Sequence, residues 1–272
     1  MIGSSELDIR SHIETETAHQ TVVMLGASNL SRAFPTVISI SQRVLAAPIK
    51  FYVAKGHGRS YGQVSSCFGK KISGIFSCGI WSAIQREKSV PITAFLTDIG
   101  NDLAYEVPVE TVLQWVEGCL DRLLALNARV VVSDLPLDVL REVSPTQYRL
   151  FRAILFPRCS LEWPEMLARA QALSEGVLQL AKTRQIPLFA VRKQWYGLDP
   201  IHPRKKNYRQ LWSELWSLAV DSPVQIEQAR RSPIFSWYLR RLQPAKWSFL
   251  SFQRQAKQPT GHLSDGSTIA LY

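Results

Sequence analysis

Five short apolar runs, each set off from the next by a longer stretch of helical pattern, leave this chain few architectures. The runs are "TVVMLG" (residues 21–26), "FYVAKG" (51–56), "ITAFLTDIG" (92–100), "ARVVVSDLP" (128–136) and "IPLFAVR" (186–192). They are rich in Val, Ile and Phe and end in Gly, Asp or Pro or close to one, as strands buried on both faces do. Between them, "PVETVLQWVEGCLDRLLALN" (108–127) places Val112, Trp115, Val116, Cys119, Leu123 and Leu126 at helical spacing, with Pro108 near its start. Residues 165–184 follow the same pattern, and "NYRQLWSELWSLAV" (207–220) follows the fifth run. Strands alternating with helices predict an α/β protein, a three-layer α/β/α sandwich on a parallel five-stranded sheet.

Three parts are expected: a polar N-terminal segment (1–19), a domain over 20–220, and a C-terminal extension over 221–272. The connection over 137–163 contains "YRLFRAILF", whose apolar residues could cover a pocket or fill one side of the core. Near the end of the chain, Asp265-Gly266 predicts a tight turn.

In parallel α/β sheets, ligands sit beyond the carboxyl ends of the strands. Gly26-Ala27-Ser28-Asn29 follows the first run, "GHGRSYG" (56–62) the second, and Asn101-Asp102 closes the third. Asp134 lies in the fourth, and "YGLDPIHP" (196–203) follows the fifth. Together these positions can supply acyl transfer, which needs a nucleophile, a base, a group that orients the base, and donors for the oxyanion. Ser28 is the candidate nucleophile, His202 the base and Asp199 the orienting acid. The backbone N–H groups of Ser28 and Gly58 and the side-chain amide of Asn101 are the candidate oxyanion hole. His57 is the rival base, and Asp98, Asp102 and Asp134 are the rival orienting acids. Asp102 is expected to stabilise its own loop through local side-chain-to-backbone hydrogen bonds.

These blocks resemble those of the SGNH hydrolases, also called the GDSL esterase/lipase superfamily. Gly26-Ala27-Ser28-Asn29-Leu30-Ser31 resembles the first block. Gly58 falls at the oxyanion glycine and Asn101 at the asparagine of the third block, and Asp199-Pro200-Ile201-His202-Pro203 matches D-x-x-H-P. The resemblance spans residues 20–220 and implies a flavodoxin-like fold and a serine hydrolase acting on a carboxylic ester or thioester without metal or cofactor. The chain departs from the pattern in three places: Ala27 stands at the family's aspartate, Val53 at its asparagine and Ile99 at a glycine. It is thus a divergent member. The expected substrate is a small-molecule or lipid ester, with transfer to an alcohol other than water also open.

Other readings fit less well. "GHGRSYG" is spaced G-x-G-x-x-x-G and lacks the acidic residue that a dinucleotide fingerprint needs about 20 positions on. Leu30 replaces the second glycine of G-x-S-x-G, which argues against the α/β-hydrolase elbow. The four cysteines form no C-x-x-C pair, so neither zinc nor thioredoxin-type chemistry is expected. Residues 1–20 lack signal-peptide character and no run is long enough to cross a bilayer, so the expected compartment is the cytoplasm.

The formal charge of +10 is concentrated toward the end: residues 230–257 hold seven Lys/Arg and no Asp or Glu. That aromatic-rich stretch could lie on an anionic membrane surface, giving peripheral attachment. Packing of the same aromatics on the core or on a second subunit is the preferred reading, and nucleic acid is not an expected partner. Arg204, Lys205 and Lys206 read as a solvated helix start, with a place beside an anionic substrate as the alternative. The competing functional class is a non-catalytic binding or scaffolding protein attached to membrane or nucleic acid through this tail.

Overall fold

The computed structural model describes residues 20–67, 69–87, 90–225, 232–250 and 252–272. The segment 1–19, and Arg230 and Arg231 of the basic stretch, lie outside the described residues. Each expected run forms a strand. β1 (Gln20–Leu25) and β2 (Ile49–Ala54) are followed by a short antiparallel pair, β3 (Ser65–Cys67) and β4 (Lys70–Ile72). Then come β5 (Ile92–Leu96), β6 (Arg129–Ser133) and β7 (Leu188–Phe189). β2, β1, β5, β6 and β7 lie side by side and parallel, with Thr21 opposite Lys50 on one side and Ile92 on the other.

Alternation along the strands sorts the two helical layers. Val22 and Met24 face α1 (Ser28–Val44), whereas Val23 and Leu25 face the opposite side. On that opposite side lie α2 (Ile80–Ile84) and α3 (Val109–Leu124). The connection over 137–163 folds into α4 (Leu137–Leu140) and α5 (Pro145–Leu155) before α6 (Trp163–Thr183). α5 starts because the Ser144 hydroxyl accepts the Gln147 amide at 3.2 Å and Pro145 takes the first turn. α6 packs on α3. α7 (Tyr208–Val220) packs on α1, with Trp212 and Trp216 edge-on to Phe95 at 5.6 and 4.9 Å. Aromatic pairs of this kind add about 0.5–1.5 kcal/mol each beyond the area they bury.

The sheet is wider than the five strands expected. α8 (Pro233–Arg241) buries Leu239 against the α1/α7 layer, and the chain then forms β8 (Lys246–Phe249), β9 (Phe252–Gln255), β10 (Gly261–His262) and β11 (Thr268–Leu271). β11 adds to β2 in parallel and β10 caps it antiparallel, giving seven strands. The Asp265-Gly266 turn joins them, with Gly266 at φ +81°. β8 and β9 extend the β3–β4 pair into a second, four-stranded sheet. The large apolar residues of the tail divide between two fates. Leu239 is buried, while Trp237, Phe249, Leu250 and Phe252 are exposed. Among the described residues, no helix is long and apolar enough to cross a membrane.

Candidate active site

The turn between β1 and α1 is Gly26-Ala27. A Cβ at Gly26 would sit 2.4 Å from the Thr97 hydroxyl oxygen, so only glycine lets the end of β1 approach the end of β5 this closely. Ser28 opens the helix and is 7% exposed. The first amides of a helix have no intrahelical acceptor. Those of Ala27 and Leu30 are taken by one carboxylate oxygen of Asp98, at 2.6 and 3.1 Å. Among the described residues, none accepts from the amide of Ser28.

The loop after β7 carries the other two groups. Trp195 stacks on Phe189 at 5.9 Å, and its carbonyl accepts from the Arg204 amide and the Asn207 side chain, at 2.8 and 2.9 Å. Within this frame, Asp199 Oδ1 accepts the amides of Ile201 and His202 at 3.0 and 3.1 Å. Its Oδ2 lies 2.8 Å from His202 Nδ1, and His202 Nε2 lies 2.9 Å from Ser28 Oγ. An ionised carboxylate can only accept. The ring therefore carries its proton on Nδ1 and offers the Nε2 lone pair to the serine hydroxyl.

Burial alone would raise the Asp199 carboxyl. The hydrogen bond and charge of His202, with the two backbone amides, outweigh it and hold the group below the usual aspartate range. Arg32, one turn along α1, stands 3.7 Å from the same Oδ2. The Asn29 side chain donates to the Ile201 carbonyl at 3.2 Å, which ties the serine helix to the histidine loop.

The loop after β2 has its own supports. Gly58 adopts φ +61°, where a side chain would be strained, and a Cβ there would meet the Tyr105 hydroxyl at 2.9 Å. Tyr105 donates that hydroxyl to the Gly58 carbonyl. Arg59 is buried. Its guanidinium donates to the Ser73 and Lys55 carbonyls, at 3.1 and 3.3 Å, and to that of Tyr272. Asn101 lies in a 3-10 segment (Ile99–Tyr105) and donates to the Arg59 carbonyl at 3.4 Å, which brings it against the Gly58-Arg59 backbone. Its amide nitrogen carries a second hydrogen for another acceptor.

The rival residues do other work. His57 is exposed on the Gly58 loop, and among the described residues no hydrogen bond joins it to Ser28. Burial, then the charges of Arg32, Lys55 and His202, lower its pKa. Asp98 holds the start of α1. Burial raises its pKa against the hydrogen bonds of Ala27, Leu30 and Asn29. Asp134 is held by the Leu135 amide and the Ser174 hydroxyl, both at 2.7 Å. Asp102 meets its own backbone amide, the local contact expected of it, but its larger partners lie outside its loop. It reaches across to the Gly58 loop, accepting the Tyr61 amide at 2.9 Å and the Ser60 hydroxyl. The same Ser60 oxygen accepts the amides of Gly62 and Gln63.

Beside the Ser28–His202 pair lies an apolar cavity of about 180 Å³, lined by Leu135, Leu140, Tyr148, Phe151 and Phe156 and reached by Asn29 and Asn101. The connection over 137–163 thus does line a pocket. Gln147 of α5 donates to the Leu198 carbonyl at 2.8 Å, fastening this wall to the histidine loop. Among the described residues, no three side chains of metal-binding type converge. A serine hydroxyl, an imidazole and a carboxylate in one hydrogen-bonded row can deprotonate the hydroxyl as it attacks a carbonyl.

Sequence reasoning did not identify Asp98 as the group that holds the turn before Ser28, nor Arg32 beside Asp199. Asp98 takes its place through a left-handed backbone at φ 61°, which aspartate tolerates and which no local pattern announces.

No sequence-family model matches the chain, and no curated protein sequence does. Solved structures do match. A native aryl esterase of M. smegmatis is 13% identical over 74% of this chain and 97% of its own, with a TM-score of 0.50. The psychrotrophic esterase EstA from Pseudoalteromonas sp. is 14% identical over 74% of this chain and 97% of its own, at 0.46. A lipolytic protein of the G-D-S-L family from Desulfitobacterium hafniense is 12% identical over 74% and 99%, at 0.45. At the level of fold, the chain shares the α/β/α architecture of the aryl esterase, in keeping with the sandwich that its alternating strands and helices predict.

Proposed function

We propose that this chain is a divergent SGNH-type serine hydrolase that cleaves a carboxylic ester or thioester through an acyl-Ser28 intermediate. The observation that carries this reading is the row from Asp199 through His202 to Ser28, with contacts of 2.8 and 2.9 Å. Ser28 Oγ attacks the carbonyl carbon while His202 Nε2 takes its proton. The negative charge passes to the carbonyl oxygen, which accepts from the amides of Ser28 and Gly58 and from the Asn101 side chain. The positive end of α1 favours the same charge. Collapse breaks the bond to the leaving alcohol or thiol, which takes the proton from His202. Water then repeats the sequence on the acyl-serine, returning Ser28 and releasing the acid.

Asp199 stays ionised throughout, because its carboxyl is held low, and it stabilises the imidazolium. The acyl portion enters the apolar cavity beside Asn29 and Asn101. A non-catalytic scaffold on this fold would have no need to keep all three groups aligned in one hydrogen-bonded row.

Hydrolysis of p-nitrophenyl butyrate by wild type and Ser28→Ala tests the reading. Wild type is expected to turn over and Ser28→Ala to lose at least about 10³-fold in kcat. Equal rates from the two proteins overturn it.

A further inference from the structure

A second space adjoins the acyl cavity and shares Pro203 and Tyr208 with it as walls. It is an open cleft of about 650 Å³ on which His202 and Asp199 border. Its other charged residues are Arg32, Arg204, Lys205 and Arg240, drawn from the first turns of α1, the segment directly after His202, and α8. Asp199 is the only carboxylate among the described residues that line it, and it is already engaged by His202 and Arg32. Among the described residues no carboxylate pairs with Arg204, Lys205 or Arg240, while nine other Arg and Lys side chains among them do form ion pairs.

The cluster has a built component. A Cβ at Gly197 would lie 2.8 Å from Arg204 Nε, so the guanidinium rests on the backbone of the very loop that presents Asp199. Like charges brought together without counter-ions repel, and cations just before a helix such as α7 are unfavourable there. An anion placed among them relieves both effects, and guanidinium groups bind phosphate oxygens with charge-assisted hydrogen bonds.

We propose that this cleft holds a phosphate carried by the leaving alcohol or thiol, so that the preferred substrate is an acyl ester of a phosphorylated alcohol or thiol. The inference rests on the hydrolase reading above and adds the leaving-group side to it. The acyl chain lies in the apolar cavity, the scissile carbonyl at Ser28, and the phosphate among Arg204, Lys205 and Arg240. The phosphate itself is not transferred. Only the acyl C–O or C–S bond breaks, and the departing atom takes its proton from His202.

The test is a matched pair of substrates, 1-octanoyl-glycerol and its 3-phosphate. Wild type is expected to favour the phosphorylated ester by about tenfold in kcat/KM, and the ratio should fall as NaCl is raised. In the triple variant Arg204→Ala/Lys205→Ala/Arg240→Ala the ratio should approach one. A wild-type ratio near one overturns the proposal, as does a preference that survives in a folded triple variant. Competition by inorganic phosphate without any preference for the phosphorylated ester also overturns it, because the site would then serve a free anion.

Calorimetric titration of Ser28→Ala with the two esters separates this proposal from the one beneath it. If wild type cleaves neither ester but Ser28→Ala binds the phosphorylated one more tightly, the cleft stands and the hydrolase reading fails. If both esters are cleaved and bound alike, the hydrolase reading stands and the cleft fails.

Discussion

The Asp98 carboxylate accepts the backbone amide of Ala27 at 2.6 Å, and so the end of β5 holds the peptide that comes just before the serine. The same oxygen takes the Leu30 amide, which makes Asp98 the cap of α1 although it lies 68 residues away from Leu30 in sequence. Ala27, the residue just before the serine, carries no carboxylate of its own. A carboxylate from another strand occupies the start of that helix instead.

Replacing Asp98 with alanine should therefore lower both stability and turnover. Loss of a helix cap costs about 1–2 kcal/mol, and the freed turn no longer fixes Ser28 against His202. Asp98→Asn retains one acceptor and should recover most of the melting temperature. Thermal unfolding and ester hydrolysis on the three proteins check this. An Asp98→Ala protein as stable and as active as wild type would show that the cap is idle.

Asn101 is expected to act on the transition state more than on binding. Asn101→Ala should lose about 10²–10³ in kcat with a smaller change in KM. A variant that keeps full kcat removes Asn101 from the oxyanion hole. A variant that only melts earlier assigns it to the Arg59 loop it touches.

Asp102 is fully buried, and burial pushes its carboxyl up to about 6 against the hydrogen bonds of Ser60 and Tyr61. An unfolded aspartate titrates near about 3.9, so between these values the folded chain binds more protons than the unfolded one. The stability this group adds is complete below about pH 4 and is lost as pH rises through about 6. The melting temperature of wild type minus that of Asp102→Asn, a signed difference, should consequently fall from pH 4 to pH 7. A difference that stays constant, or that grows, contradicts the assignment.

β11 ties the Gly58 loop to the far edge of the sheet. Its strand pairs with β2, the Tyr272 amide donates to the Val53 carbonyl at 2.9 Å, and the Tyr272 carbonyl accepts from buried Arg59. Deleting residues 268–272 bares the β2 edge and leaves the Arg59 guanidinium short of an acceptor. Melting should occur several degrees lower, and kcat should drop even where the protein remains folded. Hydrolysis measured well below the new melting temperature separates the two effects. Full activity in the shortened chain would dissociate Arg59 from catalysis.

Much of this architecture was legible because it rests on local rules. Runs such as "ARVVVSDLP" are strands because their branched residues are buried on both faces. The D-x-x-H spacing works because one Asp199 oxygen holds the amides of its own turn while the other meets the ring. What stayed hidden depends on contacts made far along the chain. β11 is a four-residue strand whose partner, β2, lies near the other end of the sequence, so no hairpin signal links them. Asp102 was expected to serve its own loop, and only the assembled fold brings the Gly58 loop against it. Arg240 reaches the cleft beside His202 because α8 docks on α1, which the basic composition of the tail could not reveal.

Intact-protein mass spectrometry after treatment with a fluorophosphonate tests the central claim most directly, since only an activated serine reacts with such a reagent rapidly. Wild type should gain a single adduct that peptide mapping places on Ser28. His202→Ala should react far more slowly, and Ser28→Ala should gain none. Wild type that remains unmodified, or an adduct that forms as fast on Ser28→Ala, would contradict the assignment of Ser28 as the nucleophile.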